Sequence, residues 1–158
     1  MKKTVVAIFL SVICLLLCAC GETKTAQENT VTLGKVTVTL DGELTDGMLE
    51  ELGTPVDTVE APSCHYDGTD TIYYYGSYNV YTYMKGEQKI VYSVELLDNT
   101  CKTLKGGAVG MSKDEIVKLY GNDFTEKPYG IEYDLSDTLK VSFKTENDTV
   151  SSVEYLSE

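Results

Sequence analysis

Polar and hydrophobic residues alternate in six short segments of the chain, which is the pattern of half-buried β-strands. The segments occupy about residues 71–75, 78–84, 89–97, 130–135, 138–144 and 149–156. Turn-forming residues separate neighbouring segments, for example Gly76-Ser77 and Ser136-Asp137. The pattern therefore predicts two antiparallel meanders of three strands each.

The two meanders repeat one sequence pattern. Residues 72–97 align with residues 131–156 without a gap, and hydrophobic positions match along the alignment. The tripeptide Ser-Val-Glu recurs at residues 93–95 and 152–154. The alignment indicates a tandem repeat.

A short helical segment precedes each meander. The first follows Thr45, a residue type that caps helix N-termini, and ends before Gly53. The second follows Ser112, which matches a capping box with Glu115, and ends before Gly121. A meander with one hydrophobic face needs a helix to cover that face. The predicted fold class is therefore α+β, with two tandem repeats that each pack a short helix on a three- to four-stranded antiparallel meander.

The same patterns predict four parts along the chain. Residues 1–19 are expected to be a lipoprotein signal peptide and residues 20–33 a flexible tether. Residues 34–99 are expected to be repeat 1, and residues 100–158 repeat 2. The tether is predicted because this part of the chain is polar and shows no hydrophobic periodicity.

Short motifs in both repeats resemble a family of small bacterial envelope proteins. Leu52 to Pro55 reads Leu-Gly-Thr-Pro after the first helix, and Gly110 to Gly121 spans the second helix. A helix of this kind followed by a meander resembles the small lipoprotein of the outer-membrane barrel-assembly machine. Two such units in tandem resemble the β-lactamase inhibitor protein family. The resemblance implies helices on one face of a sheet and an opposite face that is open for protein binding.

The first twenty residues have the three parts of a secretory signal. Two lysines precede an apolar run that ends at Leu17, and Ala19-Cys20 follows the run. This stretch resembles a bacterial lipobox, which implies that Cys20 is lipidated. An ordinary signal peptide or an uncleaved anchor is the alternative. We therefore expect attachment to the cell membrane through an N-terminal lipid, with the protein facing the extracytoplasmic side.

The chain is strongly acidic, with 25 Asp and Glu residues against 13 Lys and a formal net charge of −12. Removal of residues 1–19 takes away two Lys and no acidic residue, which leaves −14. A surface of this charge repels the phosphates of nucleic acids. We therefore expect no nucleic-acid partner.

Removal of the signal and lipidation of Cys20 leave two cysteines, Cys64 and Cys101. An exported pair can form a disulfide, and two separate free thiols are the alternative. His65 is the only histidine and follows Cys64 directly, so the two side chains would point to opposite faces of a strand. No motif typical of catalysis, metal binding or phosphate binding is evident. We therefore expect a protein that is not an enzyme and has no metal or other cofactor.

Tyrosine is concentrated in repeat 1, since eight of the 12 Tyr residues lie between positions 66 and 92. Four of them take the strand parity opposite to the predicted core: Tyr73, Tyr75, Tyr81 and Tyr83. Their counterparts in repeat 2 are polar or charged: Glu132, Asp134, Lys140 and Ser142. The four Tyr residues are therefore predicted to form one binding patch. Packing between the repeats and simple stiffening of an exposed sheet are the alternatives.

Tyrosine offers a large rigid surface and a hydroxyl group, which suit the recognition of proteins or sugars. The predicted function is therefore a lipid-anchored extracytoplasmic binding protein that recognises a protein through the Tyr-rich sheet face of repeat 1. A surface receptor for a carbohydrate or small ligand is one alternative. A structural lipoprotein of envelope assembly is the other.

Overall fold

The computed structural model describes residues 29–63 and 66–157, which form ten β-strands and two α-helices. In chain order these are β1 (Thr30–Leu33), β2 (Val36–Thr39), α1 (Asp46–Leu52), β3 (Asp57–Pro62), β4 (Thr69–Tyr74), β5 (Tyr78–Lys85), β6 (Gln88–Leu96), α2 (Lys113–Tyr120), β7 (Thr125–Lys127), β8 (Gly130–Asp134), β9 (Leu139–Glu146) and β10 (Thr149–Ser157).

Eight of the strands form one antiparallel sheet in the order β3-β4-β5-β6-β10-β9-β8-β7. The sheet is continuous because β6 pairs with β10, where Leu96 lies opposite Val153 and Glu95 lies opposite Glu154. Strands β1 and β2 form a separate two-stranded hairpin. Strands β3 and β7 are the two edges of the large sheet.

The α+β fold of two tandem helix-on-meander repeats is a wrong prediction. The described chain is mostly antiparallel β-structure, and its two helices have only seven and eight residues. The two meanders are halves of one sheet because β6 pairs with β10. This pairing satisfies the backbone N–H and C=O groups that each meander would otherwise expose at its last strand.

The predicted tether extends too far along the chain. Residues 20–28 lie outside the described residues, but Thr30–Leu33 is strand β1, and its Val31 and Leu33 side chains are buried. The segment pairs with β2 in a hairpin that turns at Gly34, where φ is +62°. Alternating Thr with Val and Leu favours such a strand, and glycine readily adopts the positive φ of the turn.

One face of the large sheet packs against the hydrophobic core. Val94, Tyr155 and Val141 lie opposite one another in β6, β10 and β9, and each is at most 1 % exposed. The same core includes side chains of the β1–β2 hairpin and Ile116 of α2, and α1 packs against it with Leu49. We call this side of the sheet the covered face and the other side the open face.

The helix ends lie where the sequence predicts them. The side-chain oxygen of Thr45 accepts a hydrogen bond of 3.2 Å from the backbone N–H of Met48. Ser112 and Glu115 form the expected capping box at the start of α2. Each helix is followed by a glycine at positive φ, which places the chain for its return to the sheet.

Candidate binding site

The open face carries polar and aromatic side chains because neighbouring residues of a strand point to opposite faces. Tyr81 of β5 lies opposite Ser93 of β6 in one row across the strands. Asn79, Glu95 and Glu154 form the next row across β5, β6 and β10. These rows cross the junction between the two halves of the sheet.

A β-bulge interrupts the hairpin of β5 and β6. Tyr81 pairs with Ser93 and Thr82 pairs with Val91, so Tyr92 is an extra residue in β6. Bulges locally increase strand twist and re-aim side chains. This bulge places Tyr92 beside Tyr81 on the open face, with 6.1 Å between the two ring centroids.

The hairpin of β9 and β10 carries a matching bulge. Lys144 pairs with Ser152 and Thr145 pairs with Val150, so Ser151 is the extra residue. Relative to the bulge, Lys144 occupies the position that Tyr81 has in the other hairpin. Ser151 corresponds in the same way to Tyr92.

Four tyrosine rings meet on the open face, and we call Tyr66, Tyr81, Tyr83 and Tyr92 the tyrosine cluster. Tyr92 is central, with ring centroids 5.7 Å from Tyr66, 6.1 Å from Tyr81 and 6.3 Å from Tyr83. The rings of Tyr66 and Tyr83 stack at 3.7 Å with an interplanar angle of 7°. All four side chains are half-buried, so each ring keeps part of its surface accessible.

A groove with a volume of about 640 Å³ lies beside the cluster. Its lining combines aromatic rings, hydroxyl groups and one carboxylate, from Tyr66, Tyr81, Tyr92, Ser93, Glu154, Leu156 and Ser157. Ligand pockets in proteins measure about 300–1,000 Å³. The groove is therefore large enough for a small ligand or for a side chain of a protein partner.

Glu95 connects the two halves of the open face. Its Oε1 accepts hydrogen bonds from Lys144 Nζ at 3.0 Å and from Ser152 Oγ at 3.2 Å. Its Oε2 accepts hydrogen bonds from Tyr81 OH at 3.2 Å and from Asn79 Nδ2 at 3.3 Å. One carboxylate thus positions side chains from β5, β9 and β10.

Glu154 lies directly opposite Glu95, and two facing carboxylates would repel each other. Lys144 Nζ lies 3.0 Å from Glu95 Oε1 and 2.9 Å from Glu154 Oε2, so it attracts both carboxylates and reduces their repulsion. Ser93 Oγ also donates a hydrogen bond of 3.2 Å to Glu154 Oε1. The junction is therefore an ordered ionic network.

Burial and ion pairing shift the pKa values of Glu95 and Lys144 in opposite directions. Desolvation raises the pKa of Glu95, but the ammonium group of Lys144 and hydrogen bonds from Ser152 and Tyr81 outweigh it, so this pKa lies below its usual 4.5. Desolvation lowers the pKa of Lys144, but Glu154 and Glu95 outweigh it, so this pKa lies above its usual 10.5. Both groups are therefore charged at neutral pH.

The hydroxyls of Tyr81 and Tyr92 stay protonated at neutral pH. Burial raises the pKa of Tyr81 to about 12, with a further contribution from the charge of Glu95. Burial also raises the pKa of Tyr92, and the nearby carboxylate of Asp70 adds to the effect. Tyr92 OH donates a long hydrogen bond of 3.5 Å to Asp70 Oδ2. Each of these two hydroxyls already donates its single proton within the protein, so its oxygen remains as an acceptor for a ligand.

The four tyrosines of the predicted patch do not lie together. Tyr81 and Tyr83 are on the open face and belong to the tyrosine cluster. Tyr73 lies opposite Val80, is 9 % exposed and is part of the core. Tyr75 also packs against the core. The prediction of one patch is therefore wrong for Tyr73 and Tyr75.

The error comes from the strand register next to the β4–β5 turn. Tyr75 N–H bonds to the carbonyl oxygen of Tyr78 across a two-residue loop. In the other half, Leu135 N–H bonds to the carbonyl oxygen of Leu139 across a three-residue loop. A register shift by an odd number of residues turns every side chain of a strand to the other face. The side chain of Tyr73 therefore points into the core. The alignment had predicted this orientation for the residues directly before and after Tyr73.

Sequence reasoning missed several groups of the site. Tyr66 and Tyr92 complete the cluster, and Glu95, Glu154 and Lys144 form the network beside it. The repeated Ser-Val-Glu tripeptide was a visible signal for the two glutamates. The position of Tyr92 depends on the bulge, for which the strand pattern has no distinctive signal.

Of the cysteines that were predicted as site residues, the structure describes Cys101. Cys20, Cys64 and His65 lie outside the described residues, so lipidation and the disulfide stay predictions. Cys101 is 5 % exposed, and its thiol forms no disulfide with a described residue.

Within residues 29–63 and 66–157, no group of three or more His, Cys, Asp or Glu side chains is arranged to hold a metal ion. None of the helices in these ranges is long and apolar enough to cross a membrane.

The chain matches no protein-family model, no curated protein and no solved structure.

Proposed function

We propose that the chain is an extracytoplasmic binding protein, anchored by lipid at Cys20, that recognises a protein through the tyrosine cluster and its groove. The observation that carries this proposal is the gathering of four half-buried tyrosine rings around a groove of about 640 Å³. Side chains of the open faces of antiparallel sheets are usually polar. A cluster of large aromatic rings on such a face favours a recognition role.

The packing of the rings favours binding because it limits their motion before a ligand arrives. Tyr92 contacts three other rings, and Tyr81 is held by its hydrogen bond to Glu95. Preorganised side chains lose less conformational entropy on binding. Tyrosine is also enriched among the residues that contribute most to protein interfaces.

The titration behaviour of the site favours binding over acid–base catalysis. A general acid or base works best when its pKa is near the working pH. Glu95 has a lowered pKa and is paired with Lys144, whereas the pKa of Tyr81 is about 12. These two central groups therefore hold their protonation states at neutral pH.

The anchor fits this role because it fixes one end of the chain at a membrane. The lipobox-like stretch ends at Cys20, and the described residues begin at Asn29. The acidic chain is repelled by anionic lipid headgroups. A lipid anchor on an acidic protein would leave the open face accessible to a partner in the extracytoplasmic space.

A carbohydrate or small-ligand receptor is the second candidate. Aromatic rings can stack on sugars, and Ser93 and Glu154 line the same groove with hydrogen-bonding groups. In this case the ligand would bind with its polar edge on these groups and its flat face on a ring.

Matched tyrosine substitutions test the proposal. Affinity capture from intact cells with the full chain should recover a protein that Tyr92→Ser loses and Tyr129→Ser retains. Tyr129 is a suitable control because it is 43 % exposed and lies next to β8, in the other half of the sheet. A glycan array probed with the same variants covers the second candidate. Equal capture by both variants, together with no Tyr92-dependent glycan signal, would contradict a binding role of the cluster.

A further inference from the structure

We infer that the groove beside the tyrosine cluster binds a protonated Lys or Arg side chain from a basic segment of the protein partner. This inference rests on the proposed function and specifies the chemistry of the ligand. It depends on the charge around the groove, the aromatic rings that line it and a carboxylate oxygen that lacks a partner.

The carboxylates in and next to the groove give it a negative charge. Glu154 is the charged residue among its lining side chains. Asp41 adjoins the groove through a hydrogen bond of 2.6 Å from Ser157, and Asp70 adjoins it through Tyr92.

Two lysines adjoin residues that line the groove, and both already interact with protein groups. Lys144 is held between Glu95 and Glu154. Lys140 lies opposite Leu156 and has an interaction of its own. Two carboxylates near the groove, Asp41 and Asp70, are not compensated by Lys144, so a ligand with a positive charge is favoured.

The rings add a second attraction for a cation. The faces of aromatic rings carry a negative electrostatic potential, and ammonium or guanidinium groups bind over them. Tyr66, Tyr81 and Tyr92 all line the groove, and the ring of Tyr92 is tilted by 51° from Tyr66 and 57° from Tyr81. Rings in different orientations can contact one cation from more than one side.

Asp70 is bonded to Tyr92 next to the groove and holds an acceptor that the described residues leave unpaired. Its Oδ2 accepts the hydrogen bond from Tyr92, but Oδ1 is buried and has no hydrogen-bond partner among the described residues. Buried polar atoms in folded proteins are nearly always satisfied. An ammonium or guanidinium donor that reaches this oxygen would complete its hydrogen bonding.

A matched pair of peptides tests the inference by NMR titration of the full chain in nonionic detergent. One probe is a Gly/Ser hexapeptide with two lysines, and the other is the same peptide with both lysines acetylated at Nζ. Acetylation removes the positive charge and keeps the length. We expect the lysine peptide to shift the ring signals of Tyr81 and Tyr92, and to bind at least about tenfold more tightly than the acetylated peptide.

Substitutions separate the groove from the general charge of the chain. Tyr92→Leu should weaken binding of the lysine peptide by about fivefold to thirtyfold, whereas Tyr92→Phe, which keeps the aromatic ring, should bind nearly as well as the unaltered chain. Glu154→Gln should weaken binding more than Glu51→Gln, which removes the same charge from an exposed position of helix α1. Equal losses for the two charge variants would show non-specific attraction and overturn the inference.

The outcomes also distinguish this inference from the proposed function. If the acetylated peptide or maltohexaose shifts the cluster signals while the lysine peptide does not, the cationic ligand is wrong and the binding site stands. If no probe shifts these signals and cellular capture does not depend on Tyr92, both are wrong. If capture depends on Tyr92 but the lysine peptide does not bind, only the cationic ligand is wrong.

Discussion

The two long hairpins of the sheet both contain a β-bulge, but they carry different side chains at this bulge. Both contain a β-bulge at the same distance from the junction, but β5–β6 carries Tyr81 and Tyr92 where β9–β10 carries Lys144 and Ser151. The first hairpin therefore forms an aromatic groove wall, and the second supplies a charge. One half of the open face thus carries the aromatic rings, and the other half supplies the lysine that pairs with Glu95 and Glu154.

The two halves are also connected through Glu95. Tyr81 and Lys144 occupy matching positions, and both donate hydrogen bonds to its carboxylate. The carboxylate of Glu95 thus holds Tyr81 in place and links it to Lys144 of the other half. Changes that remove this link, or exchange the matching residues, test the comparison.

The largest loss of stability is expected for Glu95→Ala. The change leaves Lys144, Ser152 and Tyr81 without a shared acceptor in a partly buried site, and should lower the free energy of unfolding by about 2–3 kcal/mol. Urea unfolding measures this loss. Glu154→Ala is the matched control, and its loss should be about 1 kcal/mol, because Glu154 accepts only two of the hydrogen bonds in the network and its side chain is 28 % exposed. Equal losses would contradict the central role of Glu95.

Replacement of the extra residue of the β5–β6 bulge should cause the next largest loss of stability. Tyr92→Ser introduces the residue of the matching bulge and removes three ring contacts, so it should lower the free energy of unfolding by about 1–2 kcal/mol. Ser151→Ala should change it by less than about 0.5 kcal/mol, because Ser151 is exposed. Thermal unfolding of both variants decides whether the two bulges differ as the structure indicates.

A smaller effect is expected for Tyr81→Phe. This change removes only the hydroxyl that bonds to Glu95, and should cost about 0.5–1.5 kcal/mol. A double-mutant cycle with Lys144→Met measures whether the two halves are coupled through the carboxylate. Strictly additive losses would show that Tyr81 and Lys144 act independently.

Protonation of Glu95 at low pH should cause the smallest change in the free energy of unfolding. Its pKa is lowered in the folded protein, so its contribution to stability is present above about 4.5 and decreases as the pH falls toward the lower folded value. Urea unfolding at pH 5.5 and 3.5 should therefore show a larger loss for the unaltered chain than for Glu95→Gln. An identical loss would mean that the charge of Glu95 does not stabilise the fold.

The sequence patterns predicted the local structure of the meanders well. The six alternating segments coincide with β4, β5, β6, β8, β9 and β10, and the predicted helix caps are present. Strand β3 escaped prediction because all six of its residues are exposed, which leaves no buried face to produce a hydrophobic alternation. Strand β7 has only three residues, too few to show a period.

The long-range structure depended on information that the patterns do not contain. Pairing of β6 with β10 joins residues about sixty positions apart, and either meander alone would show the same alternation. The face on which Tyr73 lies depends on one residue in a loop, and the place of Tyr92 depends on a bulge. The high density of tyrosine was visible in the sequence, but the composition of the cluster required the register.

Photocrosslinking on intact cells tests most directly whether the aromatic half of the open face is the recognition surface. A photoreactive residue at Tyr83 would probe the cluster, and one at Asp134 would probe an exposed position of the other half, in the same row as Tyr81. We expect a discrete protein adduct from position 83 and none from position 134. The same adducts from both positions, or an adduct from position 134 alone, would contradict this expectation.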